Sequence, residues 1–300
     1  MKVIVSGSSG LVGSALVGEL SAGGDIVTRL QRSIPKKKEG EAVHWDPVTG
    51  TVDIAGLEGQ DAVVHLAGEN IAGAPWSPER KKAIRDSRIV GTRFLCESLL
   101  RLERPPDTLV CASATGYYGD RGEEVLREES GPGKGFLAEV CRDWEEATEE
   151  AARKGMRVVN LRIGMVLSEE GGALAKMLPT FRAGAGGRVG SGRQYMSWIA
   201  LPDLVDAIRH AIATDSLRGP VNAVSPHPVT NREFTKTLGH VLGRPTVAFL
   251  PAFAARLLFG EMADELLLAS ARVEPAKLLA SGYRFRHPEA EGAMRYLLGR

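Results

Sequence analysis

Short β-branched runs alternate with longer stretches of helical period through the first 165 residues, the pattern expected of βαβ units feeding a parallel sheet. The runs that read as strands are residues 2–6, 25–30, 42–45, 62–66, 108–112 and 157–163. The clearest helices between them are residues 79–102, with Ile84, Phe94, Leu95 and Leu99 on an apolar face, and residues 136–154. Right-handed crossovers would distribute these helices over both faces of the sheet, so the expected fold class is α/β, a doubly wound sheet of the Rossmann type. The pattern changes after Gly164. A helix at 173–181 leads into a Gly-rich loop carrying Arg182, Arg188 and Arg193, then the apolar run 197–201, then a helix to Thr214 with Pro202 in its first turn. Past Val224 the chain reads as mostly helical, punctuated by Pro226, Pro228, Pro245 and Pro251.

The chain has 300 residues and is 43% hydrophobic, enough to bury a sizeable core. A formal net charge of +1 provides no global field for nucleic acid or anionic membrane, so any anion site must be local. Cys96, Cys111 and Cys141 lack CxxC spacing, which argues against a disulfide framework or zinc site and fits a reducing compartment. The apolar run after Met1 is too short for a signal peptide, and no run approaches the roughly 18 apolar residues of a membrane span. The six histidines show no HxxxH or HExxH spacing, so no metal is expected. These features predict a soluble cytoplasmic protein with a small-molecule ligand.

The first strand runs directly into Ser6-Gly7-Ser8-Ser9-Gly10-Leu11-Val12-Gly13, and a helical pattern follows. In this context Gly7 permits a tight turn, Gly10 lets backbone approach a pyrophosphate, and Gly13 lets the helix pack on the strand. The N–H groups at Ser9, Leu11 and Val12 would then face the phosphates. A purely structural turn uses the same residue types. The second strand ends Thr28-Arg29-Leu30-Gln31-Arg32 with no carboxylate for a ribose 2′-hydroxyl, so Arg29 and Arg32 favour the 2′-phosphate of NADP(H). Lys36, Lys37 and Lys38 follow, and the same stretch also reads as a solvated basic turn.

Taken in order, GxxGxxG, His65-Leu66-Ala67-Gly68, Arg88 with Gly91-Thr92, Ser113-Ala114-Thr115-Gly116-Tyr117-Tyr118 and Trp198-Ile199 with Asp203 resemble the extended short-chain dehydrogenase/reductase superfamily of the NAD(P)-dependent epimerase/dehydratase type. Residues 66–72, 136–145 and the C-terminal tail further resemble epimerase-family proteins described as nucleoside-diphosphate-sugar epimerases. The resemblance implies an NADP(H)-binding domain over 1–225, with an excursion at 170–196 toward the substrate cleft, and a small substrate-side domain over 226–300. Leu257, Leu258, Leu266, Leu267 and Leu268 are expected in the core of the latter. It also implies cofactor contacts from Leu66, Ala67, Gly68, Glu69 and Asn70. Arg88 would bind the cofactor or form a helix salt bridge. Trp45 would stack on adenine or lie in the core, and the Arg182–Arg188–Arg193 loop would be a mobile lid over an anionic group or a solvated loop.

That superfamily's Tyr-x-x-x-Lys pair exchanges a proton as hydride moves. The best register here puts Phe136 and Val140 at those places. Ser113, Thr115 and Tyr118 are the catalytic candidates that remain, with Lys134 and Glu139 as nearby charges. The expected function is an oxidoreductase or epimerase-like enzyme acting by hydride transfer on a small carbonyl or sugar-type substrate. The alternative is a catalytically disarmed NADP(H)-binding regulatory or redox-sensing protein. A homodimer through the long helices is left open by the resemblance.

Overall fold

The structure is a computed structural model that describes residues 1–33 and 41–300; Lys36, Lys37 and Lys38 lie outside the described residues. The first half runs β1 (Lys2–Ser6), α1 (Leu11–Ala22), β2 (Ile26–Gln31), β3 (Glu41–Asp46), β4 (Thr51–Val52), β5 (Ala62–His65), α2 (Pro78–Leu99), β6 (Thr108–Ala114), β7 (Val125–Leu126), α3 (Phe136–Glu146), α4 (Glu149–Arg153) and β8 (Arg157–Ile163). The second half continues β9 (Met165–Leu167), α5 (Gly172–Arg182), β10 (Gly187–Val189), β11 (Tyr195–Met196), β12 (Trp198–Ala200), α6 (Leu201–Ala213), β13 (Gly219–Ala223), β14 (Val229–Thr230) and α7 (Asn231–Leu242). It ends with β15 (Ala248–Leu250), α8 (Ala252–Phe259), α9 (Glu261–Ala263), β16 (Arg272–Val273), α10 (Ala276–Ala280) and α11 (Ala290–Leu297).

Eight strands form one sheet in the order β13-β8-β6-β5-β1-β2-β3-β4, parallel throughout except for the antiparallel β3/β4 edge. The two-residue alternation of each strand sorts its side chains between faces. Val3, Val5, Val64 and Val110 pack with Leu16, Val17 and Leu20 of α1 and Leu204, Val205 and Ile208 of α6. Ile4, Val63 and Leu109 pack on the opposite face with Leu95 and Leu99 of α2 and Trp144 of α3. This is the doubly wound architecture that the alternation of the sequence predicts. A third core joins α5 (Leu174, Leu178, Phe181) to α7 (Phe234, Leu238, Val241), α11 (Ala293, Met294) and Trp198.

Two expectations need correction. The helix expected over 136–154 is two helices, broken at Ala147 and Thr148. The buried Thr148 hydroxyl donates to the Glu145 carbonyl at 2.7 Å and accepts from Asn160 Nδ2 at 3.1 Å, a side-chain competition with the backbone that interrupts the helix. Leu257 and Leu258 are 85% and 63% exposed on α8 and take no part in a core. Only Ala255 of this short helix is buried, and Leu266, Leu267 and Leu268 are half-buried.

A buried carboxylate ties the tail to α6. Asp203, in the first turn of α6, accepts from the Arg286 and His287 N–H groups at 2.6 and 3.0 Å, and its carbonyl accepts from the Tyr283 hydroxyl at 2.7 Å. Burial raises its pKa, while the two N–H bonds oppose that rise. Asp203→Ala strands both N–H groups, and a loss of about 2–3 kcal/mol in urea unfolding is expected. An unchanged unfolding midpoint would show that the tail does not depend on this tie.

Candidate functional site

The carboxyl ends of β1, β5 and β6 open on one crevice, where the crossing direction reverses between β5 and β1. At its floor Gly7 adopts φ +65°, and a Cβ there would lie 2.8 Å from the Leu66 carbonyl. A Cβ on Gly13 would lie 2.2 Å from the Gly7 oxygen. Both glycines are therefore demanded by the turn's own packing. Gly10 is different. Its φ of −78° is open to any residue, and a Cβ would meet only the Gly7 oxygen at 3.3 Å. Gly10 is also the N-cap of α1 and offers no side-chain acceptor, and no acidic residue stands in the first turn. Helix geometry leaves the N–H groups of Leu11, Val12 and Gly13 without intrahelical partners, with the positive end of the dipole behind them. The cradle fits a pyrophosphate, with Ser9 exposed at its rim.

A buried hydrogen-bond cluster fixes this turn against β5. Ser6 Oγ accepts from the Leu66 and Ala67 N–H groups at 3.1 and 3.2 Å and lies 2.6 Å from His65 Nδ1. With both lone pairs engaged, the Ser6 proton goes to Nδ1, which assigns the imidazole proton to Nε2. His65 is fully buried, its ring 5.7 Å from that of Trp45 in an edge-to-face arrangement, and burial pushes its pKa down to about 4. Trp45 is itself buried in the core and is not presented for adenine stacking.

Arg29 lies within β2, opposite Val5 and Ala42, while Arg32 follows the end of the strand, exposed. Arg32 also helps lower the Asp46 pKa, after the larger effect of the Val48 N–H bond. Beyond Leu66, Ala67 and Gly68, the side chains of Glu69 and Asn70 are engaged within their own loop. Glu69 pairs with Arg80 at 2.7 Å, and Asn70 Oδ1 accepts from the Ala72 N–H at 2.9 Å. Arg88 donates to the Glu69 and Ile84 carbonyls at 3.0 and 3.1 Å, stacks 5.0 Å over Trp144 and backs onto Gly68, where a Cβ would come 3.3 Å from its Cζ. Arg88 thus braces the wall from behind, and burial lowers its pKa.

At the end of β6 a buried ion pair absorbs two of the hydroxyl candidates. Arg162 Nε and Nη2 donate to the two Glu145 oxygens at 2.8 Å each, and Ser113 donates to Glu145 Oε1 at 2.7 Å. Arg162 Nη1 donates to the Tyr118 hydroxyl at 2.9 Å, and its Cζ lies 3.5 Å from the Tyr117 ring centre. Tyr118 is fully buried, its hydroxyl 2.7 Å from Asn222 Oδ1 and 3.0 Å from the Arg127 carbonyl, and burial pushes its pKa up to about 12. Tyr118 therefore faces the protein and not the crevice. Thr115, half-buried in the turn Thr115–Tyr118, is the third of the hydroxyl candidates and is not part of this ion pair.

Phe136 opens α3 with its ring 5.2 Å from that of Trp76 and 4.5 Å from Lys81 Nζ, and Val140 is buried. The N-cap, Gly135 at φ +107°, has no side chain to offer; the Glu265 carboxylate takes that place, accepting from the Phe136 and Leu137 N–H groups at 2.9 and 3.2 Å. Glu265 comes from far along the chain, so no local signal could have found it. Lys134 and Glu139 are exposed. The arginine loop is not free: β10 pairs with β15, and Arg188 lies 4.5 Å over Phe249. Arg182 reaches Glu169 at 4.0 Å, and Arg193 is exposed. Among the described residues no His, Cys, Asp and Glu side chains cluster as a metal site, and no helix is long and apolar enough to cross a membrane.

Two stability effects follow. Tyr118→Phe leaves Arg162 Nη1 and Asn222 Oδ1 each short of a buried partner, and a loss of about 1–3 kcal/mol in urea unfolding is expected. His65 binds its proton more weakly folded than unfolded, so between about pH 6.5 and pH 4 the unfolded chain takes up the extra proton. Its contribution to stability is intact above pH 6.5 and is lost on acidification, reaching on the order of 3 kcal/mol by pH 4. His65→Gln should flatten the unfolding free energy over that window, and a curve parallel to the wild type would contradict the buried neutral imidazole.

The sequence profile of the NAD-dependent epimerase/dehydratase family matches residues 3–223, and that of a domain of unknown function, DUF1731, matches residues 250–297. Epimerase family protein Mb2239 of Mycobacterium bovis is 47% identical over 294 residues, 98% of this chain and 96% of that protein. Human epimerase family protein SDR39U1 is 34% identical over 301 residues, 99% of this chain and 100% of that one. The crystal structure of human SDR39U1 (isoform 2) with NADPH matches with a TM-score of 0.90 at 33% identity, covering 100% of both chains. A nucleoside-diphosphate sugar epimerase from Corynebacterium glutamicum matches with a TM-score of 0.82 at 40% identity, covering 100% of this chain and 58% of that one. With its doubly wound sheet and glycine turn, this chain belongs to the NAD-dependent epimerase/dehydratase family.

Proposed function

We propose that the crevice binds NADP(H) and that the chain is an oxidoreductase or epimerase-like enzyme acting on a small carbonyl or sugar-type substrate. The observation that carries this reading is the uncapped N-terminus of α1 behind Gly10, with Arg32 just beyond the end of β2. The human relative that matches along its whole length was crystallised with NADPH, which supports the same choice of dinucleotide. When bound, the nicotinamide supplies or accepts hydride. The chain's own part is to hold it: α1 and Leu11–Gly13 the pyrophosphate, Arg32 the 2′-phosphate, Leu66–Gly68 the wall, with Arg88 behind them. Arg29, set back in β2, is a secondary contact at most.

The proton side is reduced. Phe136 and Val140 stand where Tyr and Lys are expected, and Ser113 and Tyr118 are held by Glu145 and Asn222. Of the three hydroxyl candidates, Thr115 is the one left to orient a substrate oxygen. The second reading, a disarmed NADP(H)-binding regulator, is favoured by the Phe136 ring lying closed in between Trp76 and Lys81. We read residues 1–225 as the cofactor domain and 226–300 as the substrate side. Three buried, unbridged cysteines suit the cytoplasm.

Titration by nicotinamide fluorescence should show NADPH bound more tightly than NADH. Arg32→Asp should weaken NADPH about tenfold to a hundredfold, as expected for reversing a charge opposite a phosphate, and leave NADH little changed. Equal weakening of both would remove Arg32 from the 2′-phosphate. Phe136→Tyr with Val140→Lys separates the two readings. Carbonyl reductase activity in the wild type, raised in this variant, supports the enzyme. Activity that appears only in the variant identifies a disarmed site.

A further inference from the structure

Two elements beside the crevice, α5 and the loop after β5, are joined by a side-chain bond. The first is α5, which follows β9 on the side of α1 and α6. Its N-terminal residues Gly171 and Gly172 lie against Leu11, the first residue of α1, at a distance where a Cβ on Gly171 would be 3.4 Å from Leu11 Cδ1. The second is the loop after β5, which leaves the crevice wall for α2 on the other face.

The loop is internally braced. Arg80 Nη1 binds the Glu69 carboxylate and Arg80 Nη2 the Asn70 carbonyl, and Trp76 Nε1 donates to the Ile71 carbonyl at 2.8 Å. One turn along α5, about 6 Å from Gly172, Lys176 Nζ donates to the Ala72 carbonyl at 2.7 Å. Lys176 has no ion-pair partner among the described residues, although its side chain is exposed. Its ammonium is given to a backbone carbonyl of the loop after β5.

We propose that Lys176 is a cofactor-retaining residue, and that its bond to Ala72 straps the two faces together over the dinucleotide. The inference rests on the NADP(H) reading above. The first turn of α5 runs from the N-terminus of α1, where the pyrophosphate is held, to the loop that continues the wall at Gly68. A dinucleotide held at the N-terminus of α1 and along that wall would lie beneath this turn, so its entry and its release would both require the Lys176–Ala72 contact to open. The contact is formed in this structure, so it must open for entry as well as for release, and its loss raises the association and dissociation rates together.

The test is stopped-flow measurement of NADPH binding and of its displacement by excess NADP⁺, in the wild type, Lys176→Met and Lys176→Arg. Methionine keeps an apolar stem and removes the donor. Arginine keeps a donor that can reach the carbonyl. The expected result is a dissociation rate about fivefold faster in Lys176→Met, an association rate raised by a similar factor, recovery of both in Lys176→Arg, and no change in the melting temperature of the free proteins. An unchanged dissociation rate in Lys176→Met overturns the proposal. So does a loss confined to association, which would make the lysine an attractor of phosphate and not a strap. A wild type that binds no NADPH would overturn the cofactor reading and the strap with it, which the wild-type trace alone reveals.

Discussion

The contact between the Gly7 carbonyl and Gly13 governs the rest of the site. The α1 backbone comes so close to the end of β1 that a methyl group at Gly13 would overlap the Gly7 oxygen. This approach sets the angle at which α1 leaves the sheet, and hence where its first N–H groups point. Ser6 secures the other side of the turn by accepting from Leu66 and Ala67. An anion cradle made of backbone has no side chains to adjust, so its accuracy comes from these packing constraints. The fully buried His65 is part of the same construction. Its neutral ring supplies an acceptor for the Ser6 proton where no water reaches.

A second constraint, the buried Arg162–Glu145 pair, decides which polar groups are left for chemistry. Removing such charges from water is costly unless every donor and acceptor is satisfied. Arg162 accordingly draws in Tyr118 and the Glu128 carbonyl, and Glu145 draws in Ser113. Asn222 extends the network from β13 and ties it to the tail through the Glu274 carbonyl. The Ser113 and Tyr118 hydroxyls at the end of β6 therefore serve a structural network that links β6, α3, β8 and β13. Breaking one member leaves a buried charge short of a partner, which explains why these groups are not spare.

Much of the fold was legible because hydrophobic period and element type coincide. The bounds of β1 and β8 were read correctly from their β-branched runs, and the strand-glycine-helix order located the crevice. The end of β6 was placed short, since Ser113 and Ala114 look like loop residues until Arg162 and Ile163 pair with them. The break at Thr148 depends on Asn160, which helical periodicity does not register. Leu257 and Leu258 were misplaced because an apolar composition does not say which faces of a short helix find a partner. Tyr118 was misjudged for a related reason: its local sequence is the same whether the hydroxyl meets a substrate or Asn222, 104 residues away.

The phenyl group at the head of α3 is matched by its surroundings. Its ring lies edge-on to Trp76 and beneath Lys81, whose ammonium also bonds the Glu261 carboxylate. A further carboxylate, Glu265, uses one oxygen on each of the first two N–H groups of α3. All three charged groups thus hold the 261–265 segment of the tail against α2 and α3. Using Glu265 as an acid or base would withdraw it from that seam and expose the N-terminus of α3. These charges hold the tail to α2 and α3, so turning any of them to proton transfer would loosen that seam.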